Sequence, residues 1–252
     1  MIESYGITDK GQVRSENQDR ILLEHSLLVF AVADGMGGHK QGDLAAELAI
    51  ATLRFSLASS LDRFDATWPF GYDAERSVDA NRLSTAIQMA NQQVWRRAEN
   101  EPSSSGMGTT LATLMLCNGN AIIANVGDSR VYVFRGGQLL QISFDDTFVN
   151  TVVPHGNLGA EDLRNHPMRN VLTQAAGSKA EVEVHLVEEP AQSDDIYLLS
   201  SDGLHGCVSE DAMRSILAAG DTLERMTARF MEAAYRNGAP DNVSCILVNY
   251  SA

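Results

Sequence analysis

Short apolar runs separated by polar, glycine-marked joints dominate this chain, and four longer stretches carry helical periodicity. Runs at 2–8, 20–23, 27–33, 110–117, 121–126, 130–134, 138–142, 182–187, 196–200 and 243–248 read as strands. Glu24-His25-Ser26 supplies a turn between the second and third of these. Asn118-Gly119-Asn120 and Arg135-Gly136-Gly137 are tight enough to close hairpins, so 110–142 reads as an antiparallel meander. Residues 42–61 predict a helix with Leu44, Leu48, Ala51 and Phe55 on one face, and 81–99 a second with Leu83, Ile87, Val94 and Ala98. Two more are predicted at 209–219 and 222–236, the latter aligning Leu223, Met226, Phe230 and Ala234.

The remaining stretches are less regular. Residues 11–19 form a polar loop, and Glu101-Pro102-Ser103-Ser104-Ser105-Gly106 ends the second helix. Residues 62–79 are the least patterned and read as a surface loop, with a partner-binding insert as the alternative. Residues 145–172 are irregular, with two short helices expected. Two helices, a meander, then two helices with flanking strands do not make a doubly wound parallel sheet. They suit an α+β fold of antiparallel sheets covered by helices. No repeat, low-complexity tract or linker divides residues 1–252, which read as a single domain.

Composition narrows the function. Of 252 residues, 44% are hydrophobic and 21% charged, and the formal net charge is -14. That balance argues against nucleic acid and against an anionic membrane as partners. No apolar run reaches the roughly 18 residues of a membrane span, and Met1-Ile2-Glu3-Ser4-Tyr5 does not read as a signal peptide. Cys117, Cys207 and Cys245 match no zinc spacing. Unpaired thiols suit a reducing compartment, and a cytoplasmic location is expected.

Four aspartates carry the candidate chemistry. Asp34 lies in Val32-Ala33-Asp34-Gly35-Met36-Gly37-Gly38-His39, Asp128 in Gly127-Asp128-Ser129-Arg130, Asp202 in Ser200-Ser201-Asp202-Gly203, and Asp241 in Asp241-Asn242-Val243. The first three are expected just past a strand and the fourth just before one. Taken singly, each Asp-Gly or Gly-Asp pair reads as a turn. Together they read as a cluster, because strand ends in one fold converge. Carboxylates about 4 Å apart repel by roughly 4 kcal/mol per pair at an effective dielectric near 20, so such a cluster calls for cations. Oxygen donors without Cys or His point to Mg²⁺ or Mn²⁺.

The order of the motifs resembles the metal-dependent protein phosphatases, the type 2C serine/threonine family, and within it the bacterial branch. The opening Thr8-Asp9-Lys10-Gly11-Gln12-Val13-Arg14-Ser15-Glu16-Asn17-Gln18-Asp19 is similar to that family's first motif. The Asp34 motif, Gly108-Thr109-Thr110, and the Asp128, Asp202 and Asp241 motifs follow in family order. The resemblance spans about 2–249. It implies a four-layer α-β-β-α sandwich with two central antiparallel sheets flanked by helices. It implies that Asp34 bridges two Mn²⁺ or Mg²⁺ ions and that the Gly35 carbonyl binds one of them. Asp202 and Asp241 would complete the other ion's ligands. Asp128 would share a weaker third ion with Asp202. Asp19 would orient metal-bound water, and Arg14 would grip the substrate phosphate. The implied reaction is direct attack of a metal-bridging hydroxide on phosphoserine or phosphothreonine, without a phosphoenzyme. The implied partners are phosphorylated proteins, with a cognate eukaryote-like serine/threonine kinase, and the chain is expected to be a monomer.

Two departures from the family pattern stand out. Met36, not histidine, follows Asp34-Gly35, which leaves His39 as a candidate general acid or outer-shell group. Asp145-Asp146-Thr147 stands where bacterial relatives often carry Asp-His-Thr, so Asp146 alters the local charge. Three rival readings remain. A nucleotide loop is disfavoured because Gly35-Met36-Gly37-Gly38 lacks the later glycine of a dinucleotide loop and the terminal Gly-Lys-Ser/Thr of a P-loop. A catalytically inactive phosphoprotein-binding module would keep the fold and lose ligands, yet all four aspartates and Arg14 are present. A stress-signalling phosphatase acting on anti-sigma-factor antagonists tends to lack the arginine-containing first motif.

Overall fold

A computed structural model of the chain describes residues 1–37, 41–60, 68–151 and 166–251. His39, the beginning of the 62–79 stretch and the centre of 145–172 therefore lie outside the described residues. Eleven strands are found among the described residues, all paired antiparallel. They are β1 (Ile2–Asp9), β2 (Asp19–Glu24), β3 (Val29–Met36), β4 (Gly108–Thr109), β5 (Leu111–Cys117), β6 (Asn120–Val126), β7 (Arg130–Arg135), β8 (Gln138–Gln141), β9 (His185–Pro190), β10 (Asp195–Ser200) and β11 (Val243–Tyr250). One sheet has the order β1-β11-β10-β7-β8, and the other β2-β3-β5-β6-β9 with β4 beside β3. The main helices are α1 (Gln41–Ser60), α2 (Val78–Asn100), α3 (Glu210–Leu217) and α4 (Leu223–Arg236).

Three apolar clusters make this a four-layer sandwich, as the motif resemblance implies. Val29, Ala31 and Ala33 of β3 pack with Ala45, Ala49, Leu83 and Ile87 of α1 and α2. Phe30 and Val32, one residue out of phase, pack between the sheets with Leu114, Tyr197, Leu199 and Ile246. Cys245 and Leu247 of β11 turn to the opposite face and meet Phe230 and Met226 of α4. Central strands are thus buried on both faces. This is why they read as continuous apolar runs, and each fully buried large side chain contributes about 1.5–3 kcal/mol.

Several element boundaries and faces differ from the sequence expectations. The core face of α1 is Ala45, Ala46, Ala49, Leu53 and Leu57, while Phe55 is 72% exposed. Alanines let this helix lie close against its neighbours; of the predicted stripe, Leu44 and Leu48 pack at the margin of that core while Ala51 and Phe55 are exposed. Helix α2 begins at Val78, three residues early, because the Ser77 side chain accepts from the Ala80 amide. Strand β9 begins at His185, three residues late; its edge position tolerates Glu188 and Glu189. The turn before β3 extends through Leu28, whose φ is 51°. Asp34 lies inside β3 rather than past it, because its backbone stays paired to its neighbours. One short helical turn, Phe148–Thr151, is described in 145–172.

Candidate active site

The antiparallel register carries the aspartates to one rim. Asp19 opens β2 directly opposite Asp34 near the end of β3. The β6–β7 connection holds Asp128 and crosses from one sheet to the other. Ser200 at the end of β10 pairs with both Arg130 and Cys245, so Asp202 and Asp241 arrive at the same edge from the second sheet. The rim is therefore built jointly by both sheets.

Glycines permit the close approaches at this rim. A Cβ on Gly203 would stand 1.9 Å from the Asn242 carbonyl oxygen, so glycine lets the Asp202 turn touch the strand that follows Asp241. A Cβ on Gly42 would stand 2.5 Å from the Gly35 carbonyl oxygen. Glycine at the start of α1 lets the helix backbone approach that oxygen closely.

Residues outside the expected set hold these groups in place. Asp34 donates its amide to Thr110 Oγ1 at 3.0 Å, and its carbonyl accepts from the Thr110 amide and from Thr109 Oγ1, each at 2.9 Å. The two threonines of Gly108-Thr109-Thr110 thus act as a buttress. Asn242 accepts from the Gln18 amide and donates to the Lys10 and Glu16 carbonyls, fastening the loop that carries Arg14. Asp19 is fully buried and its Oδ2 accepts from Ser201 Oγ at 2.8 Å and Ser244 Oγ at 2.6 Å. These serines, threonines and Asn242 have no distinctive charge or spacing; only their places inside the motifs signal them.

The electrostatics are those of crowded carboxylates. Burial, then the charges of Asp19, Asp202, Asp128 and Asp241, hold the Asp34 carboxyl well above its usual range. Burial and then Asp202 push Asp128 up to about 7. Burial pushes Asp19 up to about 6 despite its serine partners. Asp202 is raised as well, by burial and then by Asp241. Asp19 Oδ1 and Asp202 Oδ1 are buried without a donor among the described residues. Each carboxylate is within hydrogen-bonding reach of the Asp34 carboxyl, itself an acceptor when ionised.

Orphaned acceptors and raised carboxylates fit a hard divalent cation. Among the described residues no three His, Cys, Asp or Glu side chains are grouped so that they could hold a metal ion by themselves. Mg²⁺ and Mn²⁺ sites need no such group, since Mg²⁺ keeps several waters and takes one or two carboxylates. Arg14, expected on phosphate, is forked onto Asp241. A cleft of about 350 Å³ opens beside Asp128 and Asp202, lined also by Arg130, Asn170, Arg169 and His205.

Solved phosphatases share this fold and its full extent. The manganese-bound catalytic domain of the serine/threonine protein phosphatase PstP superposes with a TM-score of 0.82 at 31% identity, covering 100% of this chain and 99% of that one. The protein phosphatase 2C family profile matches residues 10–247, and the chain belongs to that family. PstP of Mycobacterium tuberculosis is 36% identical over 96% of the chain, which spans only 44% of that relative's length. The serine/threonine phosphatase stp of Listeria monocytogenes is 34% identical over 96% of this chain and 93% of its own.

Proposed function

We propose that this chain is a metal-dependent serine/threonine phosphoprotein phosphatase that hydrolyses the phosphomonoester directly. The observation that carries the reading is the meeting of Asp34, Asp128, Asp202 and Asp241 at one rim beside Asp19, where Asp19 and Asp202 each keep one buried carboxylate oxygen without a donor among the described residues. Asp34 and the Gly35 carbonyl would hold one Mn²⁺ or Mg²⁺ ion, with Asp34 shared to a second that Asp202 and Asp241 complete. Asp128 and Asp202 would hold a weaker third. When bound, such ions acidify water and offset charge on the transferring phosphoryl group. Asp19, fixed by Ser201 and Ser244, orients water at the rim from behind Asp34. Arg14 leaves Asp241 for two phosphate oxygens, for which its planar fork is shaped. His39 is retained as a candidate proton donor to the leaving oxygen.

Release of phosphate from a phosphothreonine peptide tests the assignment, run with Mn²⁺, with Mg²⁺ and with chelator, beside Asp34→Ala and Asp202→Ala. Metal-dependent turnover lost in both variants supports it; folded protein without turnover under any metal sinks it.

The substrates we assign are phosphorylated proteins, with a serine/threonine kinase as the opposing enzyme in signalling. Failure of an Asp34→Asn variant to retain phosphopeptides would remove that assignment. No described helix is long and apolar enough to cross a membrane. The three cysteines are unbridged, which suits a reducing compartment, and we place the enzyme in the cytoplasm as a monomer. Light scattering that returned a dimer mass would correct the second point, and fractionation the first.

A further inference from the structure

Asp146 has no part in the scheme above, yet nearly all of its polar atoms are engaged. It is 2% exposed. Oδ2 accepts from the Gly127 amide at 2.8 Å and from Gln174 Nε2 at 2.9 Å, and Oδ1 meets His185 Nε2 at 2.7 Å. Its own amide donates to the Gly127 carbonyl at 3.0 Å, and its carbonyl accepts from the Thr173 amide at 2.8 Å. Asp146 therefore holds both the amide and the carbonyl of Gly127, one residue before Asp128. It also pins the return end of the 147–173 excursion. Gly127 has φ +96°, and a Cβ there would stand 2.7 Å from Thr110 Cγ2, so the turn has no slack on that side.

His185 stands behind this grip. It begins β9, opposite Asn125 of β6, two residues before Gly127. Its ring packs on Phe144 with centroids 4.7 Å apart. The imidazole is thus fixed by a ladder and by an aromatic contact, and its Nε2–H orients the Asp146 carboxylate so that Oδ2 faces Gly127 and Gln174.

We propose that His185 and Asp146 are positioning residues for Asp128: the pair clamps the Gly127 amide and so sets where the Asp128 carboxylate stands. The proposal rests on the reading of Asp128 as a ligand of the weaker third ion. Outer-shell partners that hold a metal ligand commonly change metal affinity by about ten- to a hundredfold when removed, and here the hold is exerted through the backbone at Gly127. A purely structural pair would lower stability without singling out one ion.

The test is calorimetric titration of Mn²⁺ into the full chain, comparing His185→Leu, His185→Gln, Gln174→Ala and Asp128→Ala. Hydrogen exchange of the Gly127 amide is measured alongside. His185→Leu should weaken the weakest binding step about tenfold, leave the tighter steps in place and speed exchange at Gly127. His185→Gln restores a donor to Oδ1 and should return both toward wild type. Gln174→Ala, which removes the other side-chain donor to Asp146, should shift the same step and serves if His185→Leu does not fold. Wild-type values of the weak step and of Gly127 exchange in His185→Leu and Gln174→Ala, with the step abolished by Asp128→Ala, would overturn the proposal and leave Asp128 as a ligand. A titration that Asp128→Ala leaves unchanged removes the ligand reading and the proposal with it.

Discussion

Arg14 and Asp241 lie 227 positions apart and meet in a forked ion pair, Nε to Oδ1 at 2.8 Å and Nη2 to Oδ2 at 2.6 Å. The side chains are 57% and 34% exposed, so solvent screens the pair and its worth to stability is about 0–1 kcal/mol. Its meaning lies in geometry. The fork that grips two carboxylate oxygens also fits two phosphate oxygens, and in the proposed reaction Asp241 would be freed for a cation as Arg14 turns away. Arg14→Ala should lower kcat/KM on a phosphothreonine peptide about ten- to a hundredfold, the weight of a charge-assisted hydrogen bond. Arg14→Lys should recover only part, since a point charge cannot fork. Unchanged kinetics in both would remove Arg14 from the site.

Metal removal should cost stability as well as activity. Neighbouring carboxylates repel, and a bound cation turns that repulsion into attraction. Mn²⁺ at a hundred times its dissociation constant should add about 2.7 kcal/mol per site, a rise of several degrees in Tm for a chain of this size. A melting curve indifferent to chelator would contradict the cluster reading.

Gly203→Ala should uncouple the two halves of the rim. The new methyl would meet the Asn242 carbonyl, at a cost of about 1–3 kcal/mol. It should also weaken Mn²⁺ binding by moving Asp202 away from Asp241. Wild-type affinity measured by calorimetry would show that this contact is not what spaces them.

Far from the rim, Arg135 donates from Nε and Nη2 to Asp195, each at 2.7 Å, and from Nη2 to Glu189 at 2.8 Å. Asp195 is 1% exposed. Arg135→Leu should destabilise the fold by about 3–5 kcal/mol, because it leaves a buried carboxylate without its cation. Denaturant unfolding measures this; a loss under 1 kcal/mol would be too small for a buried pair.

His205 gives a pH signature. Burial and then Arg130 hold its imidazole neutral to well below the usual 6.5. Its Nδ1 lies 3.0 Å from Ser200 Oγ. The unfolded chain takes up this proton as pH falls below 6.5 and the folded chain does not, so stability drops on acidification. His205→Asn should flatten that part of the stability curve in chelated protein, as read by unfolding midpoints from about pH 7 to about pH 5.

The sequence carried most of the strands because doubly buried strands such as β3 and β11 are nearly all apolar, while the four layers were legible only through the motif resemblance. The hairpins were legible from Asn118-Gly119 and Gly136-Gly137. The face of α1 was not, since alanines at 45, 46 and 49 do the packing there and pattern reading favours Leu44 and Phe55. The aspartates were legible as a set because each sits beside a strand end. Their supports were not: Thr110, Ser201, Ser244 and Asn242 act through neutral hydrogen bonds that leave no periodicity. The weight of Asp146 was legible only as a departure at one position, because its partners Gly127, Gln174 and His185 come together through the β6–β9 register.

Among the described residues strand β1 has a single ladder partner, β11, whose first residue is Val243. During synthesis at about 5–20 residues per second, β1 therefore waits on the order of ten seconds or more for its mate. Until then one of the two sheets contributing to the rim lacks its second strand, and Asp241 does not yet exist. A nascent chain thus cannot assemble the whole aspartate rim before Asp241 has been made, and the rim is completed in one step rather than growing with length.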